Sequence, residues 1–114
     1  MSGAGYLRST LGDMTRFLVA NMDLNSTPLS ESMSLAQAVQ AHGSDAGTGI
    51  GLGWEVDHIG TSGERLSKGG ETAGFTSYVS FLRDGRSGFV LLTNGMRVDQ
   101  LVPDMIRILS KLEP

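Results

Sequence analysis

Residues 76–94 decide the fold, with TSYVSFLR at 76–83, DGRS at 84–87 and GFVLLTN at 88–94. Asp-Gly between two apolar runs is a strong hairpin signal, because glycine accepts the positive φ that a tight turn requires. We therefore expect two antiparallel strands here. The second run is apolar at consecutive positions, which predicts a strand covered on both faces.

Further strand signals precede this hairpin. Residues 54–58 (WEVDH) alternate between large and acidic side chains, which predicts a half-buried strand, and residues 65–69 predict a second, shorter one. Glycines recur at 43, 47, 49, 51 and 53, but no G-x-G-x-x-G fits there and the chain contains no G-x-x-x-x-G-K-[ST]. We interpret residues 43–53 as a flexible surface loop that does not bind phosphate.

Helical signals lie at the two ends of the chain. Thr10 followed by Asp13 fits a capping box, and apolar residues at helical spacing predict a helix over residues 11–22. A weaker stripe predicts a second helix over 30–41, capped by Ser30.

A last helix is predicted by an apolar stripe that consists of Leu101, Met105, Ile106, Leu109 and Leu112. We expect its regular part to begin near Pro103, because proline is poorly tolerated inside a helix. The order of helix, helix, antiparallel meander and helix predicts an α+β fold. We treat residues 1–114 as a single domain.

Composition narrows the possible functions. The 114 residues are 39% hydrophobic and 18% charged, which is typical of a globular domain. A net charge of −3 disfavours nucleic-acid binding, and no apolar run approaches the roughly 20 residues of a membrane helix. The absence of cysteine excludes disulfides and thiol chemistry. Neither His42 nor His58 has a second histidine at ligand spacing, so we expect no metal and no cofactor.

One segment combines features of a binding site. Residues 68–78 read KGGETAGFTSY and hold one of only two lysines beside three glycines. Glycine in a strand marks a close approach of backbone or ligand, and a lysine beside exposed strand N–H groups can bind a carboxylate or an oxyanion. The alternative is a surface lysine next to an ordinary turn. No G-x-S-x-G, S-x-x-K, Y-x-N or S-x-N motif occurs in the chain.

The same segment, with GFVLLTN and the closing helix behind it, resembles the C-terminal part of the class C β-lactamase family. That family also contains D-alanyl-D-alanine carboxypeptidases and esterase-like serine hydrolases. STLGDM at 9–14, LAQ at 35–37 and GLGWE at 51–55 are similar in order and spacing, so the resemblance covers about residues 5–112. It implies part of a β-lactamase/transpeptidase-like fold.

The resemblance also implies site residues. Lys68 and Gly70 correspond to the lysine and glycine of the family's K-[ST]-G motif, and the backbone N–H of Glu71 to an oxyanion-hole donor. Thr72 and Asn94 are implied in substrate binding.

Gly69 stands where the family has threonine or serine. The hydroxyl that would bond a substrate carboxylate is missing. The resemblance therefore favours an esterase-like or peptidase-like relative over a true β-lactamase.

In the family, the nucleophilic serine and the tyrosine motif lie upstream of the matched region. We therefore expect this chain to be inactive alone, because acyl transfer requires a nucleophile and its base in contact. A β-lactam, a D-Ala-D-Ala peptide or an ester would be the substrate of the complete enzyme only. The family is usually periplasmic or extracellular, but residues 1–6 carry no signal-peptide pattern, so no compartment is predicted.

Two further interpretations remain open. In the first, the chain is a non-catalytic module that binds carboxylates or peptidoglycan peptides through Lys68, Asn94 and the strand N–H groups from Glu71 onward. In the second, it associates with itself. The resemblance implies that strands preceding the matched region pair beside strand 88–94, so without them this strand would be an open apolar edge, which predicts a homodimer or a swapped oligomer.

Overall fold

The computed structural model describes residues 3, 5–43, 47–59, 63–84, 87–95 and 98–112. Within them lie three helices and one antiparallel sheet whose six strands pair in chain order. The prediction of an α+β fold is confirmed. The elements are α1 (Leu11–Asn21), α2 (Ser30–Gln37), β1 (Ala41–His42), β2 (Thr48–Ile50), β3 (Glu55–His58), β4 (Glu64–Thr72), β5 (Phe75–Leu82), β6 (Gly88–Thr93) and α3 (Val98–Leu112).

The first helix forms as its sequence predicts. Thr10 is the N-cap of α1, and its hydroxyl accepts a hydrogen bond of 3.1 Å from the backbone N–H of Asp13. The prediction for α2 is right in its first residue, Ser30, but wrong in its cap and at its C-terminal end. Its N-cap is Leu29, and the Ser30 hydroxyl instead accepts from the N–H of Thr27 at 3.0 Å. It ends at Gln37 rather than at residue 41, because Ala38 is extended and the chain continues into β1.

The glycine-rich segment is not the plain loop that its composition predicts. It contributes β2 and follows β1, and the register pairs Ala41 with Ile50 and Thr48 with Asp57. Two of its glycines, Gly49 and Gly51, mark close packing. A Cβ on Gly51 would clash with the carbonyl oxygen of Ala36, so the backbones approach each other where only glycine fits.

Both faces of the sheet are covered. One carries a hydrophobic core with α1 and α2 packed on it, formed by Leu18, Trp54, Val56, Leu66, Val79 and Phe81. The Trp54 ring meets Phe81 edge-on at 5.3 Å and stacks on Phe17 at 6.4 Å. Helices α1 and α3 both contact β5 and β6. Val90 of β6 packs on the core cluster that contains Leu18 of α1, and the neighbouring Phe89 is buried on the opposite face, where α3 is the helix that contacts β6. The expectation that β6 is covered on both sides is confirmed.

The strands and the last helix differ in extent from the predictions. β4 spans 64–72 instead of 65–69, and β5 and β6 each lie within one residue of their predicted limits. Gly85 and Arg86 of the predicted turn lie outside the described residues, but the β5–β6 register and the 2.9 Å bond from the N–H of Leu82 to the Ser87 carbonyl confirm the hairpin.

Helix α3 begins five residues before the predicted start at Pro103, which lies inside it. The first four N–H groups of any helix lack intrahelical partners, so a proline at the sixth position removes only one hydrogen bond. No helix in the described ranges is long and apolar enough to cross a membrane.

Candidate functional site

β4 extends well past the strand beside it. β3 pairs with residues 64–67, the last pair being Glu55 with Ser67. From residue 68 to residue 72, β4 is paired only with β5 in the part of the chain that the structure describes. This leaves one side of five residues without a neighbouring strand. We call this side of residues 68–72 the open edge.

Hydrogen-bond direction determines which backbone groups face the open edge. The N–H of Arg83 donates to the carbonyl of Glu64 at 2.9 Å, so the backbone groups of Glu64 point toward β5. This direction alternates along a strand, and the pairing of β4 with β5 is continuous without a bulge. The N–H and C=O groups of Gly69 and Glu71 therefore face the open edge. Two N–H donors, about 7 Å apart, are available to a ligand lying along it.

Two glycines keep the middle of this edge clear of side chains. A Cβ on Gly69 would lie 3.6 Å from Cδ2 of Tyr78, an ordinary contact distance, so the position has room for a small side chain. A Cβ on Gly70 would lie 2.8 Å from the hydroxyl oxygen of Ser77, so a side chain fits there only if the Ser77 hydroxyl rotates away. Position 69 therefore has room for a side chain as it stands, whereas position 70 has room only after Ser77 moves.

Opposite charges flank these glycines on opposite faces of β4. Lys68 and Glu71 are both exposed, and alternation along the strand directs Lys68 toward the face of α1 and Glu71 toward the face of α3. Neither side chain forms an ion pair with another described residue. The Lys68 ammonium is therefore available to an anionic group at the start of the open edge.

A two-residue turn places β5 behind the site. Thr72 pairs with Phe75, and Gly74 between them has a φ of 81°. This turn fixes Ser77 opposite Gly70 and Tyr78 opposite Gly69. The sequence alone did not identify Ser77 and Tyr78 as neighbours of the site. Gly74 was the available signal, because a tight turn at this glycine sets the register between β4 and β5.

The N-terminal segment lies against the far end of the open edge. A Cβ on Gly5 would lie 2.6 Å from Cγ2 of Thr72. Thr72 is exposed nonetheless and shares a face of β4 with Lys68 and Gly70.

Asn94 is not on the open edge. It follows β6 in a turn held by two hydrogen bonds, from the Thr76 hydroxyl to the Gly95 carbonyl at 2.7 Å and from the Gly95 N–H to the Thr93 hydroxyl at 3.0 Å. Glu71 pairs with Thr76, which pairs with Thr93. Asn94 therefore lies at the same end of the sheet but two strands away, about 10 Å from the backbone of Glu71.

A polar cleft of about 270 Å³ lies between α1 and α2 and contains none of the predicted site residues; it is lined by Ala20, Asn21, Asp23, Ser30, Glu31, Met33, Ser34 and Gln37. Gln37 and Asn21 are buried there and hydrogen bonded to each other at 3.1 Å. No sequence motif marks this cleft, because its residues come from two helices. Within the described ranges, no three metal-ligating side chains come together.

The Beta-lactamase family model matches residues 1–111. The match covers nearly the whole chain, so the chain belongs to the Beta-lactamase family. Among curated proteins, none matches the sequence.

Proposed function

We propose that this chain forms one wall of a serine hydrolase active site of the class C β-lactamase, carboxypeptidase or esterase type. The acyl substrate lies along the open edge. The observation that carries this proposal is the open edge of residues 68–72, which are paired with β5 on one side and, among the described residues, with no strand on the other, so that backbone N–H donors point outward beside a lysine. The 114 residues contain no S-x-x-K or Y-x-N motif, so the chain alone does not turn over substrate.

The N–H of Glu71 is the proposed oxyanion donor. It belongs to a strand held by continuous pairing with β5, so it needs no reorganisation to meet a developing negative charge. Removing a single donor of this kind costs about 10²–10³ in rate in characterised hydrolases. The role belongs to the backbone, so the Glu71 side chain is free to vary.

Lys68 supplies positive charge at the other end of the edge. In the proposed complete site it attracts the substrate carboxylate and supports the general base. Thr72 and Asn94 complete the substrate contacts, and Asn94 acts across the sheet face because it lies two strands away.

Gly69 determines the substrate class. A threonine or serine hydroxyl would bond a substrate carboxylate at this position, and Gly69 has none. Esters and peptides that do not depend on this bond are therefore the proposed substrates, ahead of β-lactams. Because a Cβ here would lie 3.6 Å from Cδ2 of Tyr78 and 3.9 Å from the carbonyl oxygen of Ser77, both ordinary contact distances, Gly69→Ser fits without displacing its neighbours. We expect this variant to bind penicillin about tenfold more tightly than the parent chain, since the new hydrogen bond is made to a charged group.

Turnover assays test the proposed inactivity. Nitrocefin and a p-nitrophenyl ester should show no hydrolysis above buffer with the purified chain. Saturable hydrolysis that Lys68→Ala abolishes would contradict it.

Backbone NMR tests the site itself. Titration with a D-Ala-D-Ala peptide or penicillin should shift the amide signals of Gly69 and Glu71 most, because only alternate N–H groups face the ligand. Glu71→Pro removes one of these donors and should lose the response. The matched variant Glu71→Gln keeps the N–H and should retain it. If both variants behave alike, the backbone role is wrong.

A non-catalytic binding module is the second candidate. It is favoured by the fact that the open edge is formed within this chain without the nucleophile motif. Specific binding of the peptide at micromolar concentration by the chain alone would support it. A response only at many millimolar would favour the incomplete hydrolase.

A further inference from the structure

We propose that the polar cleft between α1 and α2 binds a small organic cation, an ammonium or guanidinium group on a short aliphatic stem. We call this site the α1–α2 cleft. The proposal does not use the open edge of β4 and does not depend on hydrolase activity. It rests on a buried hydrogen-bond acceptor without a partner, on the charge of the lining and on the volume of the cleft.

The buried acceptor is the side-chain oxygen of Gln37. This residue lines the cleft and is only 8% exposed. Its Nε2 group donates to the backbone carbonyl of Asn21 at 2.9 Å and to Oδ1 of Asn21 at 3.1 Å. A carbonyl oxygen can only accept, so the amide nitrogen of Gln37 must be the atom that faces Asn21. Oε1 of Gln37 therefore points away from Asn21, and it accepts no hydrogen bond from any described residue.

This oxygen is accessible from the cleft and is held in place. Among the described residues, no fully buried side-chain nitrogen or oxygen lacks a partner, so the unpaired Oε1 of Gln37 must reach the surface of the cleft. Asn21 cannot turn its amide group to satisfy that oxygen, because its own Nδ2 group donates to the Phe17 carbonyl at 2.9 Å. The backbone carbonyl of Gln37 accepts from the guanidinium of Arg83, also at 2.9 Å. The acceptor is thus ordered before a ligand arrives, which lowers the cost of binding.

The lining of the cleft is acidic. Its described residues include the carboxylates of Asp23 and Glu31 and no lysine, arginine or histidine. Neither carboxylate forms an ion pair with another described residue. Asp23 also follows the C-terminal end of α1, where the helix dipole is negative and disfavours a further negative charge. A cation in the cleft is attracted by both carboxylates and by this helix end.

The unpaired polar atoms of the cleft favour a cation that donates hydrogen bonds. Amide and carboxylate oxygens only accept, whereas ammonium and guanidinium groups carry several N–H donors together with their charge. On α2, Glu31, Ser34 and Gln37 recur at intervals of three residues, so they lie along one side of the helix. Glu31 and Gln37 are separated by about 9 Å along the helix axis. An elongated cation can therefore contact a carboxylate near one end of the cleft and the amide oxygen near the other.

The volume of the cleft favours a small molecule over a metal ion. Its volume is about 270 Å³, which equals the volume of roughly nine water molecules. A metal ion needs several ligand atoms that converge on one point, and the described residues contain no group of three metal-ligating side chains. Ala20 and Met33 line the cleft and offer apolar contacts to an aliphatic stem, to which a methionine side chain adapts its shape.

NMR titration of the purified chain with 1,4-diaminobutane tests the proposal. We expect saturable binding with a dissociation constant of about 1–10 mM. The side-chain amide signals of Gln37 should shift most, because its oxygen accepts the new hydrogen bond, while those of the exposed Gln40 should stay unchanged. The hexamethyl derivative of the same diamine carries the same two charges without N–H donors. It should bind at least about tenfold more weakly.

Two pairs of measurements separate this site from a general effect of charge. Glu31→Gln removes one negative charge from the lining and should raise the dissociation constant about fivefold. Glu55→Gln makes the same change at an exposed position of β3 outside the cleft and should leave the constant unchanged. Asp23→Asn is a second lining variant and should act like Glu31→Gln. Circular dichroism verifies that all three variants are folded.

The absence of a saturable shift at Gln37 up to about 50 mM diamine would overturn the proposal. So would equal binding of the methylated diamine, or equal effects of Glu31→Gln and Glu55→Gln. A parallel titration with N-acetyl-arginine amide identifies the source of the cation. Tighter binding of the arginine derivative indicates an arginine side chain of a protein partner, and tighter binding of the diamine indicates a free small molecule.

Discussion

Replacing Phe81 by alanine removes the largest fully buried side chain of the core. Phe81 is 1% exposed and meets the Trp54 ring edge-on at 5.3 Å. Burial of a phenylalanine contributes about 1.5–3 kcal/mol. The ring pair adds about 0.5–1.5 kcal/mol. With the cavity that remains, we expect the free energy of unfolding to fall by about 4 kcal/mol. The loss is a large part of the roughly 5–15 kcal/mol that stabilises a domain.

Phe75 provides a matched control, because it lies on the same strand and the same face as Phe81 but is 64% exposed. Phe75→Ala should cost less than about 1 kcal/mol. Urea unfolding followed by Trp54 fluorescence gives both values, and thermal unfolding should place the midpoint of Phe81→Ala roughly 15–25 °C below that of the parent. Equal losses in the two variants would refute the assignment of the core to the face covered by α1 and α2.

Two further substitutions probe local structure. Thr10→Ala removes the N-cap of α1 and should lower the free energy of unfolding by about 1 kcal/mol. The control is Ser9→Ala: the Ser9 hydroxyl donates only to the Thr10 carbonyl, so its loss should leave the free energy of unfolding unchanged in the same urea titration. Gly51→Ala sets a Cβ against the Ala36 carbonyl and should cost about 1–3 kcal/mol. In the control Gly47→Ala, no heavy atom lies within 4 Å of the new Cβ, so the loss of unfolding free energy should be less than half as large. Similar losses in the two variants would mean that the close approach of Gly51 to Ala36 is relaxed in solution.

Elements with local signals could be predicted from the sequence. The Thr10 cap and the apolar spacing behind it are sufficient for α1, and Asp84-Gly85 between two apolar runs is sufficient for the β5–β6 hairpin. In both cases the residues that determine the structure are neighbours in the chain. Local propensity and tertiary packing favour the same result there.

Elements that depend on distant contacts could not be predicted. The glycines in and beside β2 resemble loop residues in the sequence, but Gly49 packs against Val39 and Gly51 against the backbone of Ala36, contacts that only the folded chain brings together. The start of α3 before Pro103 has a similar cause, since packing on β5 and β6 outweighs one missing hydrogen bond.

The candidate site divides in the same way. The residue types of 68–72 and their resemblance to a family motif are visible in the sequence. The open edge is not, because it depends on β3 ending opposite Ser67. The separation of Asn94 from Glu71 also follows only from the register across three strands.

The pairing of the strands in chain order has a kinetic consequence. Each strand from Ala41 to Thr93 finds its partner in the next segment of the chain, so no long loop has to close before a pair can form. Sheets with distant pairings fold slowly for that reason. This sheet can grow by adding one hairpin to the last, and we expect it to refold faster than a sandwich of equal length. A slow refolding phase would then report the docking of α1 and α3 rather than the search for strand partners.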